Sequence, residues 1–262
     1  MGNFFTHLGT DFASILFMLT LFTGTLWALD RFWLERRRKA AAVSGEPDKA
    51  SWLVEFGRQF FPVIIAVFLL RSFLVEPFRI PSGSMIPTLR VGDFILVNRF
   101  AYGLRCPIGD CKILALGEPK RGEVIVFRYP VDPRQDFIKR VVGLPGDTVR
   151  YVGKELTING ERMAQETIGP FMGRLDVEAT ESLSGTPHHI LTNPDRPAQD
   201  FEFTVPEAHY FMMGDNRDGS SDSRFWGTVP EAYLKGRAFF VWMSWDSEAM
   251  RPVWSRIGHG IQ

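Results

Sequence analysis

The sequence predicts a mainly β protein, with an antiparallel β-sheet catalytic domain anchored by two N-terminal transmembrane helices. Residues 1–78 contain two long apolar segments, and the chain changes in texture from Pro77 onward. There, short runs of β-branched and aromatic residues end repeatedly in turn residues, which is typical of strands. Helical periodicity is scarce in this second part, and this favours antiparallel sheets over alternating strands and helices.

Length and charge set the first limits on function. The 262 residues suffice for one substantial domain beside the membrane segments. Hydrophobic residues make up 45% of the chain, and the mean hydropathy of −0.04 averages over two unlike parts. The formal net charge is zero, so the composition does not indicate a nucleic-acid partner.

The first apolar segment runs from Phe12 to Leu29 and lies between Asp11 and Asp30. Its length fits one membrane-spanning helix. A cleavable signal peptide is the alternative interpretation. Residues 1–11 contain no lysine or arginine and no small-residue cleavage site follows the segment, so spanning is favoured.

The second apolar segment covers residues 60–76. Pro62 suits a first helical turn, and Arg71 near the other end is placed to extend toward the membrane surface. The segment is short, so a buried core helix stays open as an alternative to a second span.

Basic residues between the two segments predict the orientation of the chain. They are Arg31, Arg36, Arg37, Arg38, Lys39, Lys49 and Arg58. Positive charge is enriched on the cytoplasmic side, so we expect a cytoplasmic loop over residues 30–59. The N-terminus and a catalytic domain over residues 79–262 then lie outside the cytoplasm, and residues 1–78 form the anchor.

Several runs in the second part predict individual strands. They cover residues 93–98, 122–129, 148–152, 156–158, 201–205 and 238–242. Asn159-Gly160 follows one of them and is a strong hairpin signal. Residues from about 161 to 200 are polar and punctuated by proline and glycine, so we expect an irregular, decorating insertion within about residues 150–210.

The two cysteines, Cys106 and Cys111, lie close together but not in a CxxC pattern, and no histidine cluster supplies further zinc ligands. A local disulfide is favoured over free thiols if this region is extracytoplasmic. No metal and no cofactor are expected.

Peptide-bond hydrolysis needs a nucleophile and a base, and the sequence offers an unusual choice of base. None of the five histidines lies in a motif, and no HExxH pattern indicates a zinc hydrolase. Lys139 has apolar neighbours in Phe137-Ile138-Lys139-Arg140-Val141, and a lysine acts as a base only if its pKa is lowered. Ser84 lies in a glycine-containing turn. Each residue alone is ordinary, so the case depends on their combination.

That combination resembles the bacterial type I signal peptidase (leader peptidase) family. The segments Pro81–Leu89, Gly92-Asp93, Arg121-Gly122, Lys139–Asp147 and Gly214–Arg224 follow one another in the family's order. The resemblance covers roughly residues 60–262, and the two-helix anchor fits it as well. The Cys106–Cys111 pair and the segment 161–200 match no motif of the family.

The resemblance implies roles for individual residues. Ser84 is the nucleophile and Lys139 the general base. The Ser82 hydroxyl and the Ser84 backbone N–H hold the oxyanion, and Ser220 orients the lysine amine. Two ion pairs, Asp215 with Arg140 and Asp222 with Arg224, support the site. The substrate cleft is lined by Phe78, Ile80, Pro81, Met85, Leu89, Phe137 and Ile138, and in the family it accepts small side chains at the first and third residues before the cut.

The expected function is therefore a membrane-bound serine endopeptidase that removes signal peptides from exported preproteins, in the bacterial inner membrane with its catalytic domain on the periplasmic side. Its expected partners are those preproteins and the lipid bilayer. Two alternatives stay open: a Ser/Lys self-cleaving repressor-type protease, and a non-catalytic membrane-tethered β module that binds exported chains. A repressor-type protease usually carries a DNA-binding unit, and the sequence shows no sign of one. An inactive module would be expected to lack Ser84 or Lys139, and both are present.

Overall fold

The computed structural model describes residues 12–42, 50–105, 112–172 and 175–262. The described residues form two compact units. The smaller unit lies within Met1–Val75 and Leu104–Ile113, and the larger lies within Glu76–Gly103 and Leu114–Gln262. Cys106 and Cys111 lie outside the described residues, so their disulfide stays a prediction.

The smaller unit is built mainly from helices. These are α1 (Phe12–Leu29), a π-helical turn (Asp30–Leu34), α2 (Glu35–Ala42), α3 (Trp52–Leu69) and a second π-helical turn (Leu70–Leu74). Two continuous helical stretches, Ser14–Lys39 and Trp52–Leu74, are long and apolar enough to cross a membrane. Each contains an 18-residue window of high mean hydropathy, 1.3 in the first and 1.8 in the second.

Glycines allow α1 and α3 to approach each other closely. A Cβ placed on Gly57 would lie 2.8 Å from the Cβ of Leu26, and one placed on Gly24 would lie 2.9 Å from the Phe61 ring. The Trp27 and Phe61 rings stack with their centroids 5.3 Å apart. Small residues at such contacts are typical of helices that pack inside a membrane, where close packing replaces the hydrophobic effect.

Helix α3, which contains the second predicted span, begins earlier than predicted, at Trp52 rather than at residue 60. The stretch expected to be a basic loop is helical over Asp30–Ala42. Glu55 and Arg58 lower the hydropathy of the first turns of α3, but they do not interrupt its backbone hydrogen bonds. Ser51 precedes the helix in an extended conformation, as an N-cap residue does. Hydropathy therefore located the apolar part of the helix and missed its polar beginning.

Strands dominate the rest of the described chain. In order they are β1 (Val75–Arg79), β2 (Asp93–Asn98), β3 (Leu104–Arg105), β4 (Lys112–Leu114), β5 (Val124–Arg128), β6 (Asp136–Gly143), β7 (Thr148–Val152), β8 (Glu155–Ile158), β9 (Glu161–Arg162), β10 (Gln165–Pro170), β11 (Val177–Leu183), β12 (Thr186–Thr192), β13 (Phe201–Thr204), β14 (His209–Met213), β15 (Val229–Pro230), β16 (Leu234–Asp246), β17 (Arg251–Pro252) and β18 (His259–Gly260). A short helix, α4 (Ser223–Trp226), follows β14.

The main sheet has nine strands in the order β1-β2-β16-β5-β6-β14-β15, and β17 and β18 also pair with β16. A four-stranded sheet has the order β13-β7-β8-β9, and a three-stranded sheet has the order β10-β11-β12. Pairing is antiparallel throughout the three- and four-stranded sheets. In the main sheet it is antiparallel from β2 to β15 and for β17 and β18. The predicted fold class, mainly antiparallel β with two N-terminal helices apolar enough to span a membrane, is confirmed.

Alternation of buried and exposed positions explains why the strand predictions succeeded. Buried and partly buried residues alternate along β2, and the strand coincides with the predicted run. The hairpin predicted at Asn159-Gly160 joins β8 to β9, and both turn residues have positive φ. β6 is different, because it is buried on both faces over most of its length. It lies inside the main sheet between β5 and β14, and this central position places Lys139 in the core.

The expectation that residues 161–200 are irregular was wrong. This segment forms β10, β11 and β12, with a tight hairpin at Ser184-Gly185 between the last two strands. The inward positions of β11 and β12 include Glu181 and His188, which are buried although they are polar. Because charged residues occupy core positions, the apolar alternation that reveals a strand is hidden in the sequence.

Candidate active site

Ser84 is held in a turn segment that follows β1 and is fastened to the core at both sides. Met85 and Leu89 are completely buried, and the Leu89 N–H donates to the Met85 carbonyl at 2.9 Å. Asn216 closes the turn from the other side. Its Nδ2 donates to the Gly83 carbonyl at 3.1 Å, and its backbone N–H donates to the Ser84 carbonyl at 3.1 Å. Burial of two large apolar side chains fixes a turn that would otherwise be mobile.

Lys139 lies on β6, paired with Ile125 of β5, and reaches the serine from the middle of the sheet. Its Nζ lies 2.7 Å from Ser84 Oγ, and it donates a hydrogen bond to the Ile138 carbonyl at 2.9 Å. The two residues are 55 positions apart in the chain, so this contact is made by the fold. Both are buried, with 4% of Lys139 and 8% of Ser84 exposed.

Burial lowers the pKa of Lys139 from 10.5 to about 8. Asp222 and Asp215 act in the opposite direction, because their negative charge favours the ammonium form. The effect of burial on the Lys139 pKa exceeds that of the two carboxylates, because each carboxylate is paired with an arginine. A lysine with a pKa near 8 holds a sizeable neutral fraction close to neutral pH, and only the neutral amine accepts a proton.

Ser82 lies beside Ser84, with its Oγ 3.4 Å from Ser84 Oγ. The side chain is exposed, so it faces the space from which a substrate would approach. An exposed hydroxyl at this distance is able to turn toward an oxygen bound near Ser84, which is the geometry an oxyanion donor requires.

Ser220 is buried, but its Oγ has no hydrogen-bond partner among the described residues. The structure therefore shows no bond from Ser220 to the lysine, and its orienting role stays a prediction. Gly214 explains how closely this serine approaches the site. A Cβ on Gly214 would lie 2.2 Å from Ser220 Oγ and 2.5 Å from the Ser84 carbonyl oxygen, so a side chain there would push the catalytic segments apart.

Arg140 and Asp215 form a buried, two-pronged ion pair. Arg140 Nε donates to Oδ1 at 2.8 Å and Nη2 donates to Oδ2 at 2.7 Å. Burial by itself would raise the pKa of Asp215, but the Arg140 charge and its hydrogen bonds hold that pKa below its ordinary value. Thr88 adds a further hydrogen bond to Asp215, at 2.5 Å. The pair is adjacent to Lys139 along β6 and joins that strand to the loop after β14.

Asp222 and Arg224 form the second predicted pair. Arg224 Nε donates to Oδ1 and Nη2 donates to Oδ2, each at 2.8 Å. Asp222 also accepts the Gly214 N–H at 3.0 Å and caps the start of α4. The Asp222 carboxylate thus holds both ends of the loop between β14 and α4 together. This brings Ser220 next to Gly214.

A buried ion pair that the sequence did not reveal ties the same loop to β11. Arg217 Nη1 donates to Glu181 Oε1 at 2.8 Å, and Nη2 donates to the other carboxylate oxygen. Gln165 Nε2 also donates to Glu181, at 2.8 Å. Backbone bonds continue the attachment, because the Leu191 N–H donates to the Asp215 carbonyl at 2.8 Å. The charged residue at the centre of β11 was the available signal, since a strand with a buried glutamate needs a basic partner.

A cavity of about 460 Å³ opens onto the serine and the lysine. Three of the predicted cleft residues line it: Pro81, Phe137 and Ile138. The others do not. Ile80, Met85 and Leu89 are buried in the hydrophobic core, and Phe78 packs against that core. Further lining residues that the sequence did not indicate are Gln135, Asp136, Asn216, Gly219 and Ser221.

None of the described histidines lines this cavity. His188 is buried next to Glu181, His189 contacts Glu178 at 2.8 Å, and His209 contacts the Glu207 carbonyl at 2.9 Å. Among the described residues, Lys139 is therefore the basic side chain in contact with Ser84.

Comparisons with known proteins show the family to which this chain belongs. The family model described as signal peptidase, peptidase S26, matches residues 53–245. Signal peptidase I of Pseudomonas aeruginosa is 46% identical over 95% of this chain and 98% of its own length, and that of Haemophilus influenzae is 37% identical over 93% and 88%. A crystal structure of a signal peptidase I from Enterococcus faecalis V583 covers 47% of this chain and 98% of its own, with 30% identity and a TM-score of 0.33. The chain belongs to the signal peptidase family, peptidase S26.

Proposed function

We propose that this chain is a membrane-bound serine endopeptidase that removes signal peptides from exported preproteins, with Ser84 as the nucleophile and Lys139 as the base. The observation that carries the proposal is the 2.7 Å contact between Lys139 Nζ and Ser84 Oγ at a cavity. Burial lowers the pKa of this lysine to about 8, which suits it to proton transfer. Relatives that match nearly the whole chain are called signal peptidase I.

Each of these residues has its own part in the proposed reaction. Neutral Lys139 takes the proton of Ser84 while Oγ attacks the scissile carbonyl carbon. Negative charge develops on the carbonyl oxygen, and the Ser82 hydroxyl and the Ser84 backbone N–H donate to it. Protonated Lys139 then gives its proton to the leaving amine, and an ester between Ser84 and the signal peptide remains. Water, deprotonated by Lys139, hydrolyses that ester and restores the serine.

Cleavage of a purified preprotein by the full chain in detergent tests the function. We expect one cut, directly after the signal peptide, and no cut by a Ser84→Ala variant prepared in the same way. Ser221→Ala is the matched control, because Ser221 also lines the cavity and its hydroxyl has no part in the proposed reaction. Cleavage by Ser84→Ala at a rate near that of the wild type would contradict the proposal.

The pKa of Lys139 sets the expected pH dependence. The amine is active when neutral, so kcat/KM should rise as the pH increases toward about 8 and level off above it. Below this value the rate should fall about tenfold per pH unit as the amine gains a proton. The measurement is a pH profile on a peptide without ionisable groups near the cut. If the fall in kcat/KM at low pH disappears when a histidine is replaced, Lys139 is excluded as the base.

The proposed oxyanion role of Ser82 predicts a graded loss of rate. Ser82→Ala should lower kcat by a factor on the order of 10²–10³, because one preorganised donor is removed from the transition state. The side chain is exposed and its removal should leave the melting temperature unchanged. A kcat equal to that of the wild type would show that Ser82 has no such role.

We also propose the orientation and location of the chain. The two helices span the bacterial inner membrane, the basic stretch between them is cytoplasmic, and the catalytic domain lies on the periplasmic side. Positive charge between two apolar helices supports this orientation. Protease added to intact spheroplasts should therefore digest the domain after residue 79. Complete protection of that domain would reverse the orientation.

A further inference from the structure

Asn216 lies in the loop after β14 and contacts the Ser84 turn through two separate groups. Its backbone N–H donates to the Ser84 carbonyl at 3.1 Å, and its side-chain Nδ2 donates to the Gly83 carbonyl at 3.1 Å. A carbonyl oxygen only accepts hydrogen bonds, so the Gly83 carbonyl determines which end of the amide faces it. The two bonds therefore hold the carbonyls of two successive residues in the turn.

The amide of Asn216 is also enclosed on another side. A Cβ placed on Gly219 would lie 2.6 Å from Asn216 Nδ2 and 2.8 Å from Oδ1. The Gly219 N–H donates to the Asn216 carbonyl at 3.0 Å. Because the Gly219 backbone packs this closely against the amide, the side chain has little room to turn away from Gly83. Asn216, Gly219 and Ser84 line the same cavity.

The bond to the Gly83 carbonyl sets the direction of the Ser84 backbone N–H. The two groups belong to one peptide unit, which is planar and trans, so they point in opposite directions. The Ser84 N–H donates to no other described residue. In the proposed reaction it is one of the two donors to the oxyanion. This N–H must therefore keep its direction while the substrate carbonyl is attacked.

Rotation of this peptide unit would destroy the oxyanion site. Gly83 has no Cβ to restrict its ψ angle. Apart from Asn216, the Gly83 carbonyl accepts from the Ile86 N–H at 3.2 Å, which is at the long end of the usual range. A rotated unit would turn the Gly83 carbonyl toward the developing oxyanion, and like charges would then face each other. A hydrogen bond to the carbonyl also polarises the peptide and strengthens its N–H as a donor.

We propose that Asn216 is a positioning residue for the oxyanion site: its amide holds the Gly83–Ser84 peptide so that the Ser84 N–H faces the scissile carbonyl. The proposal rests on the proposed peptidase function and adds a residue to which the sequence resemblance gave no role. Asn216 acts through the peptide unit and takes no proton itself. Its contribution belongs to the transition state, because the oxyanion is absent from the bound substrate.

Steady-state kinetics of Asn216→Ala on a preprotein test the proposal. Alanine keeps the backbone bond to Ser84 and removes only the amide. We expect kcat to fall about tenfold with KM unchanged, a smaller loss than the roughly 10²–10³ for a whole oxyanion donor, because the Ser84 N–H is still present. Asn98→Ala should leave kcat unchanged. It is the matched control, because Asn98 also makes a turn hydrogen bond, from the Phe100 N–H at 2.9 Å, and lies outside the cavity lining.

A second variant separates the donor from the shape of the side chain. Asn216→Asp has nearly the same shape but places an acceptor opposite the Gly83 carbonyl, so it should lower kcat at least as much as Asn216→Ala does. The rates are compared above the pH at which Lys139 loses its proton, since a new carboxylate near the site favours the ammonium form. For Asn216→Ala the fall in rate at low pH should keep its wild-type midpoint, because the base is unchanged.

Two binding measurements distinguish positioning from a general loosening of the turn. A peptide aldehyde forms a hemiacetal: Ser84 Oγ bonds to the aldehyde carbon, and the serine proton passes to the aldehyde oxygen, which takes the place of the oxyanion. Its affinity should weaken about tenfold in Asn216→Ala, in parallel with kcat. The intact preprotein should bind equally to Ser84→Ala and to Ser84→Ala combined with Asn216→Ala, because neither protein forms an oxyanion.

Three results would overturn the proposal. They are a kcat of Asn216→Ala or Asn216→Asp equal to that of Asn98→Ala, an unchanged affinity for the aldehyde, and a tenfold weaker affinity of the double variant for the preprotein. The last result would assign Asn216 to substrate binding instead. Cleavage by Ser84→Ala would contradict the peptidase mechanism itself, so failure of the positioning role and failure of the proposed function are distinguishable.

Discussion

Replacing Lys139 with methionine should abolish cleavage while leaving the protein at least as stable as the wild type. The methionine has nearly the shape of the lysine stem and cannot accept the Ser84 proton, so the loss in kcat/KM should reach about 10²–10⁴ or more. Stability should not fall, because the lysine is 4% exposed and its ammonium form is destabilised by burial. Initial rates on a preprotein and thermal melts of the same samples measure both effects.

Lys120→Met is the matched control for this prediction. Lys120 is exposed and lies outside the catalytic cavity, so its replacement should change neither rate nor stability. Substantial cleavage by Lys139→Met would exclude the Ser/Lys mechanism. A Lys139→Met protein that is unfolded would show instead that the buried amine is needed for the fold, which the low pKa argues against.

The pairing of Ser84 with Lys139 could be predicted because each residue lies in a short, recognisable sequence motif. Ser84 follows a turn with Gly83, and Lys139 lies in an apolar run that reads as a strand. The resemblance to signal peptidases joined the two, although they are 55 residues apart. Their distance and the lowered pKa of the lysine could not be predicted, because both depend on the central position of β6 between two other strands.

Other parts of the site depend on packing that a sequence does not express. Met85 and Leu89 are apolar residues close to Ser84 in the sequence, which is compatible with either a cleft wall or the core. The fold packs both in the hydrophobic core. The hydroxyl of Ser220 was expected at the lysine, and its position is set by the close approach to Gly214. The polar beginning of α3 was missed for a related reason, since hydropathy detects burial in lipid and not helix formation.

The strands after residue 161 show the largest gap between sequence and structure. Polar residues with interspersed proline and glycine predict an irregular region here, and β11 carries a glutamate where an apolar residue would mark the strand. That glutamate binds Arg217, which comes from the loop that also contributes Asp215 and Ser220. These strands are therefore attached by a buried ion pair to the loop after β14.

Replacing Glu181 with glutamine should destabilise the protein by about 3–5 kcal/mol, because the Arg217 guanidinium is left buried without its counter-charge. Both partners are at most 1% exposed, so water does not screen the charge. Burial alone would raise the pKa of Glu181, but Arg217 holds it well below the ordinary value, so the carboxylate is charged at pH 7. Urea unfolding at pH 7 measures the loss, and Glu166→Gln, an exposed change in the neighbouring strand β10, is the control.

A second variant separates the charge from the shape of the side chain. Glu181→Gln combined with Arg217→Met removes both charges, and it should recover most of the stability that Glu181→Gln alone loses, since no unpaired ion remains. The loop after β14 holds Asp215 and Ser220 and is fixed partly by this pair, so Glu181→Gln should also lower kcat under conditions where the protein is folded. A stability change for Glu181→Gln as small as that for Glu166→Gln would show that the buried pair contributes little to the fold.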